Sequence, residues 1–184
     1  MDMRGKPDQQ RFEALLREHS GIVFKVAGVY AHNMHDRDDL AQEITIQLWR
    51  SFGTFDERRA KFTTWMYRVA LNVAISYSRT AKSAERVEPL NEAHLDTLAS
   101  AGDGQQAALE KDESIAALHA FIAQLDALNR ALVLLYLEDR SYMEIADVLG
   151  ISETNVATKL NRIKRKLRGQ MVVSPAEGEK NGTR

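Results

Sequence analysis

The sequence predicts an all-α protein made of two small helical domains, and three observations support this fold class. Apolar residues recur at helical spacing along most of the chain. No segment alternates apolar and polar residues over the length of a strand, so no sheet is expected. The helical pattern weakens from Ala81 to Gly104, around Pro89, and resumes near Gln106. That interruption predicts a flexible acidic linker between two helical domains.

Three helices are predicted in the first domain, residues 8–80. The first pattern covers residues 12–29, interrupted at Ser20-Gly21. The cluster Asp36–Asp39 is expected to cap the second helix, and Gly53-Thr54 is expected to end it. The inner stripe of that helix is predicted to be Leu40, Ile44, Leu48 and Phe52. A polar loop, residues 56–61, then leads to a third helix at residues 63–79.

The second domain is predicted at residues 111–170, after a linker at residues 81–110. Helices are expected at residues 106–128, 131–137, 142–149 and 153–168. The remaining segment, residues 171–184, is polar and is expected to be a flexible tail.

Opposite charges are concentrated in different segments, although the net charge is only -1. Residues 153–168 contain six basic side chains and one acidic side chain, whereas residues 81–113 contain eight acidic and three basic ones. This distribution indicates different partners for different segments.

Composition also restricts the location and chemistry of the protein. The chain has no cysteine, which excludes disulfides and thiolate metal sites and favours a reducing cytoplasm. It has no apolar run long enough to cross a bilayer, and its first residues lack the apolar core of a signal peptide. We therefore expect a cytoplasmic protein without stable membrane insertion.

Residues 141–163 have the pattern of a helix-turn-helix unit. Gly150 stands where the first helix is expected to end in a left-handed conformation. Ser152 can cap the next helix, and the small side chain of Ala146 lets the two helices approach closely. The expected buried faces are Ile145 and Leu149 in the first helix and Val156, Leu160, Ile163 and Leu167 in the second.

The outward face of the second helix is predicted to enter a major groove. Its residues are Glu153, Thr154, Asn155, Thr158, Lys159 and Arg162. The basic end, residues 164–168, is suited to phosphates. The alternative is a helical hairpin with a solvated basic face, but the coincidence of turn, small residue and basic helix favours DNA binding.

The third helix and the loop before it combine aromatic and basic residues. These are Arg58, Lys61, Phe62, Trp65, Arg68 and Asn72. Stacking on unpaired bases needs this combination. Taken alone, a role for Phe62 and Trp65 as core aromatics explains the pattern equally well.

The outward face of the second helix carries Asp39, Gln42, Glu43 and Ile46. By itself this pattern is more typical of a solvated face than of a binding surface.

An enzyme is the least favoured interpretation. His32 and His35 lie near Asp36, Asp38 and Asp39, and a His-x-x-His pair can bind a metal. The chain lacks a second ligand pair, a nucleophile motif and a glycine-rich phosphate loop. We expect no catalysis, no cofactor and no metal.

In this order the segments resemble the bacterial sigma-70 family, and specifically its short extracytoplasmic-function (ECF) sigma factors. Asp39-Leu-Ala-Gln-Glu43 with Trp49 is similar to the core-binding helix of region two. Phe62-Thr-Thr-Trp-Met-Tyr-Arg-Val-Ala-Leu-Asn72 is similar to the promoter-melting helix. Residues 125–168 are similar to region four. Ser76, where the family usually has an acid, is a departure.

The resemblance implies a function and a role for each motif. The chain would bind core RNA polymerase and direct it to promoter DNA, with an anti-sigma factor as a further partner. Asp39, Gln42 and Glu43 would dock on the polymerase. Trp65 and Asn72 would sit at the upstream edge of the melted minus-ten element, where Phe62 and the loop 56–61 would help to hold an extruded base. Glu153, Thr154 and Thr158 would face the minus-thirty-five element.

Two other classes compete with this interpretation. A helix-turn-helix regulator that acts without core polymerase would need a ligand or dimerisation domain at the N-terminus, and residues 38–80 resemble neither. An adaptor that makes only protein contacts would not need the basic helix 159–168.

Overall fold

The structure, a computed structural model, describes residues 5–31, 33–85, 115 and 117–172. Its helices are α1 (Gly5–Tyr30), α2 (Met34–Ser51), a 3-10 turn (Phe52–Thr54), α3 (Phe62–Glu85), α4 (117–123), α5 (Ala127–Leu137), α6 (Tyr142–Leu149) and α7 (Glu153–Val172). The described part of the chain is all-helical, as predicted. The linker at 81–110 lies almost entirely outside the described residues, as does the tail after residue 172.

Helix α1 contains a kink. His19 has non-helical backbone angles, φ -113° and ψ 16°. The kink coincides with the interruption expected at Ser20-Gly21. Within the described ranges, no helix is long and apolar enough to cross a membrane.

Helix α2 begins earlier than the sequence predicted. Its N-cap is Asn33, whose side chain accepts a hydrogen bond from the backbone N–H of Asp36 at 2.9 Å. The assignment of the cap to Asp36–Asp39 was therefore wrong, because an equally good capping residue precedes that cluster. The predicted inner stripe is confirmed, and all four of its residues are buried.

Helix α3 extends to Glu85, beyond the predicted end at Arg79. The segment 80–85 contains neither glycine nor proline, so nothing in it interrupts the hydrogen-bond ladder.

The predicted helix 106–128 is interrupted before its expected end. A turn at residues 124–126 separates α4 from α5, and Asp126 caps α5 by accepting from the backbone N–H of Asn129 at 2.9 Å. Arg130, a buried residue of α5, stabilises this turn. Its guanidinium donates to the carbonyls of Leu125 at 3.0 Å and Ala123 at 2.7 Å.

Helices α6 and α7 form the predicted helix-turn-helix unit. Ser141 and Glu144 form a reciprocal capping box at the start of α6. Gly150 ends α6 with φ 67° and ψ 33°, the left-handed conformation expected there. Ser152 accepts from the backbone N–H of Asn155 at 3.2 Å and so caps α7.

The N-terminal region, residues 5–85, and the C-terminal region, residues 115–172, pack directly against each other. Helices α1 and α3 contact α5, and α3 also contacts α6. One hydrophobic core cluster includes residues of both regions. Met66 and Ala70 are buried on one side of α3, and Tyr67, Leu71 and Ala74 are buried on a neighbouring side. The second buried face explains why the two regions share a core.

Candidate nucleic-acid interface

The outer face of α7 carries the residues predicted to read a major groove. Glu153, Thr154, Asn155, Thr158 and Arg162 are exposed, and Lys159 is half-buried. Val156, Leu160 and Ile163 are buried on the opposite side. The exposed side chains occupy the first three turns, which are the turns that enter a groove in helix-turn-helix proteins.

The basic end of α7 is mostly free to contact phosphates, with one exception. The ammonium of Lys164 donates to the hydroxyl of Tyr136 at 2.9 Å and lies 4.0 Å from the centre of its ring. Arg165, Lys166 and Arg168 are exposed.

An aromatic cluster lies at the start of α3. Phe62 is only 9% exposed and lies 5.4 Å from both Phe55 and Trp65, measured between ring centres. Trp65 also contacts Phe52 and Phe55, at 6.2 Å and 5.2 Å. The expectation that Phe62 holds an extruded base does not fit this burial, because its ring already packs in the core. Trp65 is half-buried and presents only part of its indole to solvent.

The outer edge of α3 continues from Trp65 through Arg68 and Asn72, which are both exposed. These residues lie three and four positions apart, and therefore share one side of the helix. The structure thus brings the predicted aromatic and polar side chains of this helix onto one edge.

The loop before α3 holds one of its predicted basic residues in place. The guanidinium of Arg58 donates to both carboxylate oxygens of Asp56, at 3.0 and 3.1 Å. This side-chain bond, with the backbone N–H of Arg58, lowers the pKa of Asp56, and the same carboxylate raises the pKa of Arg58. Arg58 is 90% exposed despite the pair, and Lys61 is exposed as well.

A third surface lies on α2. Asp39, Gln42, Glu43 and Ile46 are all exposed, as predicted from their spacing. Trp49 extends this face by one turn and is 44% exposed. A half-exposed tryptophan and an exposed isoleucine beside carboxylates are typical of a protein-binding surface.

The His-x-x-His segment does not form a metal site with the part of the chain that can be described. His32 lies outside the described residues, and His35 contacts Asp39 at 3.5 Å. No group of three or more potential ligands occurs among the residues whose positions are given.

The sequence did not indicate that the α3 edge contacts the helix-turn-helix unit. Arg68 of α3 donates to the carboxylate of Asp147 in α6 at 2.7 Å and to its carbonyl at 2.8 Å. An open groove of about 730 Å³ runs beside this contact, with Asn72 on one side and Gly150 and Glu153 on the other. Only complementary charges at Arg68 and Asp147 could have indicated this pairing, and many other pairs were equally possible.

The fold and these surfaces define a helical DNA-binding protein with a helix-turn-helix unit in its C-terminal region. Two family models identify it further. Sigma-70 region 2 matches residues 15–84, and Sigma-70 region 4 matches residues 115–167. The chain belongs to the sigma-70 family and is an ECF-type RNA polymerase sigma factor.

Relatives with assigned functions match most of the chain. The ECF RNA polymerase sigma factor SigW of Bacillus subtilis is 27% identical over 172 residues, which cover 90% of this chain and 91% of the relative. The RNA polymerase sigma-H factor of Pseudomonas aeruginosa is 28% identical over 161 residues, with coverage of 84% and 83%.

Two solved structures share the fold. The sigma factor RpoE of Bartonella quintana, crystallised with the anti-sigma factor NepR, aligns with a TM-score of 0.70 at 15% identity, covering 90% of this chain and 99% of that one. CnrH, in complex with the cytosolic domain of CnrY, aligns with a TM-score of 0.62 at 21% identity and 91% coverage of both chains.

Proposed function

We propose that this sigma factor divides promoter recognition between the outer edge of α3 and the outer face of α7. The main observation in support is that each surface presents exposed polar and basic side chains above a buried apolar face. The α3 edge adds the half-buried aromatic ring of Trp65. Two domains, residues 8–80 and 111–170, joined by the segment 81–110, would be the functional units.

The α3 edge is assigned to the minus-ten element. Trp65, Arg68 and Asn72 would contact bases exposed by melting, since an aromatic face gains most from a base that is no longer stacked in a duplex. Arg58 and Lys61, in the loop that leads to α3, would contact the backbone of the same strand. Phe62 would act indirectly, by packing against Trp65.

The α7 face is assigned to the minus-thirty-five element. Glu153, Thr154, Asn155 and Thr158 would face base edges in an intact major groove. Lys159 and Arg162, one turn further along, would contact phosphates. This arrangement is supported by the exposure of the first turns of α7 and by the cap at Ser152 that fixes where the helix begins.

The α2 face is assigned to core RNA polymerase. Asp39, Gln42, Glu43 and Ile46 form a continuous exposed surface that combines carboxylates with apolar area. Such a surface suits a partner that offers basic and apolar side chains. Because RpoE, which shares the fold, was crystallised with the anti-sigma factor NepR, we propose an anti-sigma factor as a second partner. The protein would act in the cytoplasm as a binding factor without catalysis, cofactor or metal.

Transcription with purified core polymerase tests this proposal. The parent protein should support initiation from a subset of a promoter library, whereas core enzyme alone should not. Absence of sigma-dependent transcripts across the library would contradict it, and tight specific binding by the free protein would favour a regulator that acts without polymerase.

Pre-melted templates separate the two DNA surfaces. Asn72→Ala should impair opening of a closed promoter, and a bubble over the minus-ten element should restore its activity. Asn72 is the better probe than Trp65, because Trp65→Ala also removes packing from the aromatic cluster. Normal opening by an equally stable Asn72 variant would remove this residue from the minus-ten surface.

A further inference from the structure

The loop that leads into α3 is tied to the first helix by two oppositely charged side chains. The guanidinium of Arg11, on α1, donates to the carboxylate of Glu57, in the loop 56–61. We propose that this pair, which we call the loop clamp, positions the loop 56–61 in the shape that receives the melted minus-ten strand. This inference rests on the proposed function and deepens it, because neither residue of the clamp is assigned a contact with DNA.

The α1 end of the clamp is fixed by the next residue in the sequence. Phe12 is 5% exposed, and its ring centre lies 5.1 Å from that of Phe52 and 5.2 Å from that of Trp49. Arg11 therefore leaves the helix at a defined point beside the aromatic cluster. Its guanidinium lies 5.9 Å from the centre of the Phe52 ring. One side chain thus contacts both the packed cluster and the loop.

The loop end of the clamp lies in a turn that is closed by local hydrogen bonds. The carboxylate of Asp56 accepts from the backbone N–H of Arg58 at 3.0 Å, as well as from its guanidinium. The carbonyl of Asp56 accepts from the backbone N–H of Arg59 at 3.0 Å. Such bonds shape a turn but do not fix how it sits against the rest of the protein. The clamp supplies that connection, since its two residues are 46 positions apart.

The position of the loop decides where its DNA-facing side chains lie. Arg58 and Lys61 are exposed, and the carbonyl of Lys61 accepts from the backbone N–H of Trp65 at 3.1 Å. A loop that already has its binding shape loses less conformational entropy when a flexible single strand binds. Loss of the clamp should therefore weaken capture of the melted strand, although no contact with DNA is removed.

Two opposing effects make Glu57 the sharper probe of this role. The clamp side chains are 49% and 65% exposed, and an ion pair of this kind contributes little to the stability of a whole domain. Breaking it should leave the urea midpoint of unfolding unchanged. A carboxylate beside a DNA surface repels phosphates, so its removal alone should strengthen DNA binding. A positioning role predicts the opposite sign.

Limited trypsin digestion of the full chain tests whether the clamp orders the loop. Trypsin cuts after Arg58, Arg59 and Lys61, and mass spectrometry identifies each cut. Arg11→Gln breaks the clamp without changing the sequence near these sites, and it should raise their initial cleavage rate about two- to fivefold. Arg17→Gln removes another exposed arginine of α1 and should leave that rate unchanged. Equal rates in the two variants would refute an ordering role.

Strand capture is measured with the sigma factor bound to core polymerase. The probe is a single-stranded oligonucleotide with the minus-ten element of a promoter that the library identifies, and a second oligonucleotide with this element replaced measures nonspecific binding. Glu57→Gln should weaken binding of the minus-ten strand about two- to fivefold and lower the preference for it.

Glu13→Gln is the matched control for strand capture. It also removes one exposed carboxylate from the N-terminal region, but Glu13 pairs with Gln9 on its own helix. This control should bind the minus-ten strand at least as tightly as the parent. Binding by Glu57→Gln that equals or exceeds binding by the control would overturn the proposal.

Reversal of both charges separates the clamp from general electrostatics. Glu57→Arg alone adds positive charge near the strand but places it against Arg11. Arg11→Glu combined with Glu57→Arg re-creates an ion pair and should bind the minus-ten strand more tightly than Glu57→Arg alone. Electrostatic attraction to DNA predicts the reverse order, because the second change removes positive charge. The reverse order would contradict the clamp.

The same assays keep this proposal apart from the proposed function. If the parent bound to core polymerase shows no preference for the minus-ten strand, the minus-ten assignment is wrong and the role of the clamp in capture is lost with it. If the parent shows the preference and Glu57→Gln retains it in full, only the clamp proposal is overturned.

Discussion

The hydroxyl of Tyr67 offers a quantitative test of the contact between the two regions. It donates to Glu138 at 3.2 Å, and Tyr67→Phe removes only this oxygen. A hydrogen bond contributes about 0.5–1.5 kcal/mol to stability, and more when the acceptor is charged. Because this bond is long and Glu138 keeps its pair with Lys25, we expect Tyr67→Phe to lower the free energy of unfolding by about 1 kcal/mol near neutral pH.

The difference in the free energy of unfolding between the parent and Tyr67→Phe should decrease at alkaline pH. Burial, followed by the charge of Glu138, raises the pKa of Tyr67 from 10.0 to about 12. The stabilisation that arises from this raised pKa is therefore fully present below a pH of about 10. Above it the unfolded chain loses the phenol proton while the folded protein keeps it, so parent stability falls by at most about 1.4 kcal/mol per pH unit. Solvent at the rim of the contact reduces this slope.

The phenylalanine of the variant has no proton to lose. The parent should therefore be no more stable than Tyr67→Phe near a pH of about 11. Urea unfolding followed by circular dichroism, at near-neutral and alkaline pH, gives both free energies. Tyr30 and Tyr77, whose pKa values burial also raises, are present in both proteins, so their contributions cancel to first order. A difference that stays constant across this pH range would refute the reasoning.

Three further predictions concern the other surfaces. Gln42→Ala with Glu43→Lys should reduce co-purification with core polymerase while the circular dichroism spectrum stays unchanged, because both side chains are exposed and a reversed charge repels a basic partner; undiminished co-purification would remove them from that interface. Thr154→Val with Thr158→Val should weaken preference for the minus-thirty-five sequence, and a minus-ten bubble should not restore it; restored preference would contradict the assignment. Ser141→Ala should lower the free energy of unfolding by about 1 kcal/mol, measured in urea, because it removes the capping box of α6; an unchanged midpoint would show that the box contributes nothing.

Local sequence patterns predicted most of the helix-turn-helix unit. Gly150, Ser152 and the buried stripe of Val156 and Leu160 act within a few residues of one another, so spacing alone specifies them. The errors in the predicted helix ends also come from relying on local patterns, because these patterns allow more than one possible end. Asn33 and the three aspartates of the segment 36–39 are all good capping residues, and only the folded backbone selects one.

Features that depend on distant parts of the chain could not be predicted in this way. Phe62 has the same aromatic character whether it faces a base or the core, and its burial depends on Phe52 and Phe55. Tyr67 is similarly uninformative by itself, because Glu138 and Arg140, which surround it, follow about seventy residues later. Pairings of this kind are set by tertiary packing, which periodicity does not encode.

The aromatic cluster also determines what can be observed by fluorescence. The chain has two tryptophans. Trp65 belongs to the cluster and Trp49 packs on Phe12 at its edge, so both lie in the N-terminal region. Their emission should report unfolding around α1 to α3 only, whereas far-ultraviolet circular dichroism reports all helices. Coincident transitions by the two probes would indicate that both regions unfold as one cooperative unit. A circular dichroism transition that precedes the change in emission would indicate that the helix-turn-helix unit unfolds first.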